Sequence, residues 1–205
     1  MSKRKQSGKA RIVARAELPS RFGDFEILGI EGRDASETAV ALVHGKIRGG
    51  RTPPLVRVHS QCLTGDVLAS ERCDCRAQLE FSLERIARAP SGILLYLPQE
   101  GRGIGLMNKL KAYQLQDAGM DTVEANAKLG FAADSRNYGF SAEILKLLGA
   151  RTVRLLSNNP DKVQQLESGG VRIAERVPCQ PRTSRRSRAY LQTKKHKLGH
   201  LLAGL

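Results

Sequence analysis

"GILLYLPQEGRGIGLMNKLKAYQLQDAG", Gly92–Gly119, is the stretch that decides the fold class. Its first seven residues are apolar, bounded by turn formers and too short for a helix, so they read as a strand. A loop with Gly101, Gly103 and Gly105 follows. From Ile104 to Ala118 apolar residues recur at helical spacing, and Gly119 stands where a helix C-terminal glycine belongs. Strand, loop and helix in that order are the unit of an α/β fold. Working outward, "DFEILGIE" (24–31), "TAVALVHGKI" (38–47), "PLVRVHS" (54–60), "TVRLLS" (152–157) and "VRIAERV" (171–177) also read as strands. Helical patterns run from Gln78 to Ala89, Ser141 to Leu148 and Asp161 to Ser168, with Gly149 as a second helix stop. The expected fold class is α/β (mixed α+β): a single domain whose mixed β-sheet is flanked by helices. The stretch "QPRTSRRSR" reads as loop, with a short helix-like end after it.

Composition narrows the function classes. The 205 residues are 40% hydrophobic, enough for one core. No apolar run reaches the roughly 18 residues of a membrane span. The basic start "MSKRKQSGKARIVARAELPS" has no apolar block behind it, which argues against a secretory signal. A cytoplasmic location with reduced thiols is the expectation. The formal net charge is +14, and it is uneven: residues 1–20 carry +5, residues 172–205 carry +8, and the body between them is nearly neutral. Solvated basic tails account for this, with weak, nonspecific polyanion contact as the alternative. With 4% aromatic residues and no Trp, platforms for stacking bases are scarce.

The glycine loop exposes backbone N–H groups at a helix start, where an anion is favoured, and Arg102 adds a guanidinium able to clamp two phosphate oxygens. It is neither a Walker loop nor the dinucleotide fingerprint, because no Gly-Lys-Ser/Thr follows and Leu106 stands where the last glycine would be needed. By itself the loop is equally a plain loop-to-helix turn.

Three of the 4 cysteines, Cys62, Cys73 and Cys75, fall within "HSQCLTGDVLASERCDC" (59–75). Three clustered thiols and one remote thiol resemble a catalytic zinc site, in which three protein ligands leave one position open and the pKa of a bound water falls to about 7. Two alternatives stand beside it: inert buried cysteines, or a closed four-ligand site completed by Cys179 or His59. Cys179, in "VPCQP", reads as incidental. Further on, Asp134 and Arg136 are two apart and share a side of an extended segment, as a surface ion pair or as something functional. Tyr113 shares a helix face with Leu106 and Leu110, as core or as site.

Taken together, "RVHSQCLTGDVLASERCDC", "QEGRGIGLMNKLKAYQLQDAGMDTVEAN", "LGFAADSRNYG" and "VRLLSNNPDKV" resemble GTP cyclohydrolase II, with a weaker likeness in "YLQTKKHKLGH". The resemblance implies a catalytic domain over 16–178 between basic tails at 1–15 and 179–205. It also implies a homodimer and the first reaction of riboflavin biosynthesis. GTP would be opened at its imidazole ring, losing C8 as formate and splitting off pyrophosphate, to give 2,5-diamino-6-(5-phosphoribosylamino)pyrimidin-4-one. One Zn²⁺ per chain would sit on Cys62, Cys73 and Cys75, and Mg²⁺ would accompany the triphosphate. Substrate contacts carry over to Arg57, Val58, His59, Ser60, Gln61, Gln78, Glu100, Gly101, Arg102, Thr122, Ser157 and Lys162. Catalytic roles carry over to Tyr113, Asp134 and Arg136. Tyr113 would hydrogen-bond or protonate near C8. Glu100 would read guanine's N–H donors, while Arg57, Arg102 and Lys162 would meet the triphosphate. The family casts the Arg136 match as a nucleophile on the α-phosphorus with Asp134 as its base. A guanidinium is a poor nucleophile, so a phosphate clamp is the competing role. Gln61 stands where many members have Glu, Pro98 where Arg is common, and Ser157 replaces a usual Thr. The length leaves no room for the dihydroxybutanone phosphate synthase domain fused to some members, so a monofunctional chain is expected.

Overall fold

The computed structural model describes residues 10–33, 37–181, 184 and 187–202. Among these residues seven strands form one mixed sheet: β1 (Arg11–Ser20), β2 (Gly23–Glu31), β3 (Thr38–Gly45), β4 (Leu55–Ser60), β5 (Ser91–Leu97), β6 (Thr152–Leu156) and β7 (Arg172–Val177). Their spatial order is β1-β2-β3-β5-β4-β6-β7. The first three form an antiparallel meander that joins β5 antiparallel, whereas β5, β4, β6 and β7 run parallel. Among the described residues six α-helices accompany them: α1 (Cys75–Ala87), α2 (Leu106–Asp117), α3 (Thr122–Lys128), α4 (Gly139–Leu147), α5 (Pro160–Ser168) and α6 (Arg188–Lys197).

The parallel strands are apolar on both faces because both faces are covered. On one face Val56, Val58, Ile93, Leu95, Val153 and Leu155 pack against Ile144, Leu145 and Leu166 of α4 and α5. On the other, Leu55, Leu94 and Leu156 pack against Leu83 and Ile86 of α1. The chain leaves β4 through α1 towards β5, then returns to β6 on β4's other side. The C-terminal ends of β4 and β6 therefore flank a crevice, the place where open α/β sheets bind ligands.

The expected fold class is what the chain adopts, and Gly119 and Gly149 take the positive φ of helix stops. Three elements differ from expectation. Residues 11–15, grouped with the basic N-terminal tail on charge, are the first half of β1, where Arg11 and Arg15 pair across the ladder with Glu31 and Glu26. Strand pairing and cross-strand charge outweigh a composition that reads as solvated. α3 is short but capped by a box in which Asp121 and Glu124 each accept a backbone N–H of the other's residue. In the segment read as a basic C-terminal tail, α6 is seated on the body: Lys197 pairs with Asp121 and Glu124, and Leu201 donates its N–H to Asn158 O at 2.9 Å.

Candidate active site

The crevice is floored by β4, whose side chains alternate. Val56 and Val58 enter the core, whereas Arg57 and His59 point to the other side and Ser60 ends the strand at the pocket. After β4 the chain makes a π-helical turn, Leu63–Val67, and a loop that carries Cys73 into the start of α1 at Cys75. This folds the thiols together: the three Sγ atoms lie within 4.8 Å of one another, Cys62 and Cys73 at 3.7 Å. Gly65 is required by that closure. A Cβ there would lie 2.9 Å from Cys73 Sγ and 3.1 Å from both Cys62 Sγ and Cys75 Cβ.

The thiols fit a metal by the chemistry of their protons. Hydrogen bonds from Cys73 and Cys75 hold Cys62 as a thiolate, aided by Lys109 Nζ at 3.1 Å. The hydrogen bond to Cys62 pushes Cys73 up to about 11, and Cys75 is raised by the same sharing and by burial. One thiolate forms readily and the other two need a bound cation to lose their protons. Cys179 is buried elsewhere, its Sγ 3.8 Å from Ser82 Oγ and its backbone held both ways by Asn158. His59 lies outside the thiol group: its Nε2 faces both oxygens of Asp66 at 3.1 Å, and it stacks on Tyr96. Asp66 in turn accepts from Cys62 N and Tyr96 OH, so this buried carboxylate fixes the first thiol's turn.

Beyond the thiols the pocket is cationic. Arg57, Arg102 and Lys162 line it and have no carboxylate partner among the described residues, whereas Lys109, Arg136 and Lys194 are paired with Glu100, Asp134 and Asp74. Lys162 is buried on α5, donates to Val58 O at 2.8 Å, and has its pKa lowered by burial and then by Arg57 and Arg136. The glycine loop is a 3-10 turn, Glu100–Gly103, in which Gly101 and Arg102 both have φ near 60°. A left-handed arginine is strained, a feature that concentrates at sites. Among the described residues, the buried Arg57 Nε and His59 Nδ1 have no hydrogen-bond partner.

Most residues named by resemblance converge on this one pocket. Arg57, His59, Ser60, Gln61, Gln78, Glu100, Gly101, Arg102, Tyr113, Thr122, Arg136, Ser157 and Lys162 all line it, with the three cysteines. Two do not. Val58 belongs to the core and offers the pocket only its carbonyl, through Lys162. Asp134 stands behind Arg136, gripping the guanidinium with both oxygens. Tyr113 is in the site rather than the core, its hydroxyl 3.1 Å from Thr64 Oγ1, which is 3.7 Å from Cys62 Sγ. Glu100 accepts from Leu63 N at 2.6 Å, Gly101 N at 3.0 Å and Lys109 at 2.7 Å. Of about four carboxylate lone-pair sites, one remains for a ligand. Sequence reasoning missed Lys109, Asn158, Tyr190 and His200, which also line the pocket, as does Lys194. Lys109 was legible as the residue one turn before Tyr113 on the same helix face. The last three lie in "YLQTKKHKLGH", where only the residual likeness hinted at a role.

Fold and site define a class: a mixed α/β domain with a cation-lined pocket at its strand ends, beside a three-thiol cluster able to hold a metal. The GTP cyclohydrolase II family model matches residues 10–178. The chain is 55% identical over 185 residues to riboflavin biosynthesis protein RibBA of Bacillus subtilis, covering 90% of this chain and 46% of that protein. It is 50% identical over 192 residues to GTP cyclohydrolase-2 of Buchnera aphidicola, covering 94% and 98%, and 50% identical to that of Histophilus somni, covering 95% and 89%. The chain thus spans about half the length of the RibBA relatives and nearly all of the GTP cyclohydrolase-2 ones. Among solved structures, RibBX, a two-domain 3,4-dihydroxy-2-butanone 4-phosphate synthase from A. baumannii, overlays with a TM-score of 0.42 at 20% identity, covering 75% of this chain and 35% of that one, too slight a likeness to bear on the fold. The chain belongs to the GTP cyclohydrolase II family and is a hydrolase of that type.

Proposed function

We propose that this chain binds GTP with its guanine towards Cys62, Cys73 and Cys75 and its triphosphate on Arg57, Arg102 and Lys162, with one Zn²⁺ on the thiols and Mg²⁺ on the phosphates. The observation that carries this is the lining of the pocket: three mutually close thiols together with three cations that have no carboxylate partner among the described residues. Three waters are consumed, two at C8 to release formate and one at the α-phosphorus to release pyrophosphate. A zinc ion on three thiolates with an open position supplies the Lewis acidity that activates water at neutral pH. Tyr113, beside Thr64, is placed to donate its proton to the opening ring, and burial keeps the phenol protonated by raising its pKa. Glu100 has one acceptor site left for a guanine N–H.

Arg136 acts as a clamp in this reading. Burial lowers its pKa, but the hydrogen bonds to Asp134 outweigh that and raise it. Asp134 is opposed by burial and lowered by the same bonds. A guanidinium held protonated is a poor nucleophile, and a stabilised carboxylate is a poor base. The pair is better suited to gripping the α-phosphate while water attacks. The chain works as a cytoplasmic homodimer in the same reading. Thiol ligands suit a reducing compartment, and Val67, Leu68 and Met107, 63–67% exposed, offer apolar surface to a second copy. No described helix is long and apolar enough to cross a membrane.

The test is mass spectrometry of the product from GTP, with zinc quantified in the same sample. Expected are formate, pyrophosphate and the diaminopyrimidine monophosphate at one zinc per chain. A product that keeps all three phosphates would remove the role given to Arg136, and an intact purine would refute the reading as a whole.

A further inference from the structure

Lys194 sits in a basic run, yet it is 8% exposed, and its ammonium donates to Asp74 Oδ1 at 2.6 Å. Asp74 is itself 3% exposed and lies between Cys73 and Cys75. From there a chain of hydrogen bonds runs inward. Gln78 Nε2 donates to Asp74 Oδ2 at 2.5 Å, Arg57 donates to Gln78 Oε1 at 2.6 Å, and Arg57 donates again to Leu156 O at 3.1 Å. Each link fixes the next. The carboxylate accepts only, so the Gln78 amide must turn its NH₂ to Asp74 and its oxygen to Arg57. Arg57, which lines the pocket, is thereby held with its Nε buried and unpartnered among the described residues. One lysine on α6 thus reaches the thiol loop, α1, β4 and β6.

We propose that α6 forms a wall of the nucleotide pocket and that Lys194 is a positioning residue for the reaction, acting through Asp74 on the Cys73–Cys75 loop and through Gln78 on Arg57. The inference rests on the hydrolase reading above for what is positioned. Without Lys194, Asp74 becomes a buried carboxylate whose nearest cation within the same bond chain is Arg57, which would be drawn from its place. The helix does not depend on this lysine for its seat, because Lys197 pairs with Asp121 and Glu124, and Leu201 bonds Asn158. Tyr190 adds a stacked face, with Lys194 Nζ 4.6 Å and the Arg102 guanidinium 5.5 Å from its ring centre.

The experiment compares Lys194→Met, Lys194→Arg and the double variant Asp74→Asn/Lys194→Met with the unaltered chain, by steady-state kinetics and by the rate at which a chelator strips zinc. In Lys194→Met, kcat should fall about tenfold or more, equivalent to about 1.4 kcal/mol, with KM changed less than about threefold. Zinc should leave at least about threefold faster, since a residue that holds a ligand loop tunes metal affinity. Lys194→Arg, which keeps the charge, should recover part of both. A kcat and a stripping rate within about twofold of the unaltered chain would overturn the proposal, as would a rise in KM alone, which marks a direct phosphate contact. The double variant buries no lone charge. Should Lys194→Met fail to fold, the double variant carries the same readouts, and a kcat at the unaltered level there also overturns the proposal. Formate release by the unaltered chain reports separately on the hydrolase reading. If it is absent, the stripping rates alone decide for or against Lys194.

Discussion

Arg136 and Asp134 are two residues apart in sequence and one unit in space. Both carboxylate oxygens are spent on the guanidinium and on its own backbone N–H. Arg136→Ala should therefore strike pyrophosphate release while ring opening proceeds, leaving a formate-depleted product that keeps its phosphates. A variant that releases pyrophosphate normally and only raises KM would make Arg136 a binding residue. Tyr113→Phe removes a hydroxyl and keeps the packing, so it should cut formate release by about a hundredfold, the scale of a lost general acid. Formate release at the unaltered rate would restrict Tyr113 to holding Thr64. The thiols separate in the same manner. Cys73→Ser should lose zinc and ring opening, and Cys179→Ser, whose Sγ has Ser82 Oγ as its polar neighbour among the described residues, should keep both. Zinc loss in Cys179→Ser, measured by metal analysis, would argue for a closed four-ligand site.

At the scale of elements, α6 and the turn after it behave as part of the domain, and pH should reveal it. Burial pushes His200 down to about 3 from 6.5, and the positive charges of Lys194, Arg102, Arg136 and Lys162 add to the effect. The ring is neutral in the folded chain at every pH above that value. Above pH 6.5 it is neutral in the unfolded chain too, and its contribution to stability is complete. As pH falls from 6.5 towards 3, the unfolded chain takes a proton that the folded chain refuses, so stability is lost across that window. His59, also lowered by burial, loses stability in the same direction. Asp74 and Asp134, lowered in the folded state, lose theirs only below about 3.8. Denaturant unfolding between pH 7.5 and 4.5 should show a smaller acid loss in His200→Asn than in the unaltered chain. Equal slopes would place His200 in solvent.

For the whole molecule the basic ends separate into two kinds. Residues 1–9 carry Lys3, Arg4, Lys5 and Lys9 and precede both β1 and the family match. Their deletion should weaken polyanion retention at low salt and leave GTP turnover unchanged. Truncation after Ser187 removes the side chains that close the pocket, and turnover at saturating GTP should drop about tenfold or more. Undiminished turnover of the truncated chain would return α6 to the role of a solvated tail.

The sequence by itself determined the βα alternation, the helix stops at Gly119 and Gly149, the three-thiol cluster and, through several motifs in one order, the family. These are local features, written in period, spacing and glycine placement. It left β1 hidden, because an edge strand exposed on most of its length reads like a tail until its ladder partner is known. Only the tertiary structure decided that Val58 faces the core, that Glu100 has one free acceptor site, and that His59 serves Asp66. Only it showed that Lys194 of α6 meets Asp74, 120 residues away in sequence. A charge in a basic run looks solvated along the chain. Burial and a partner change its meaning, and both are set by which distant segments the sheet brings to the same strand ends.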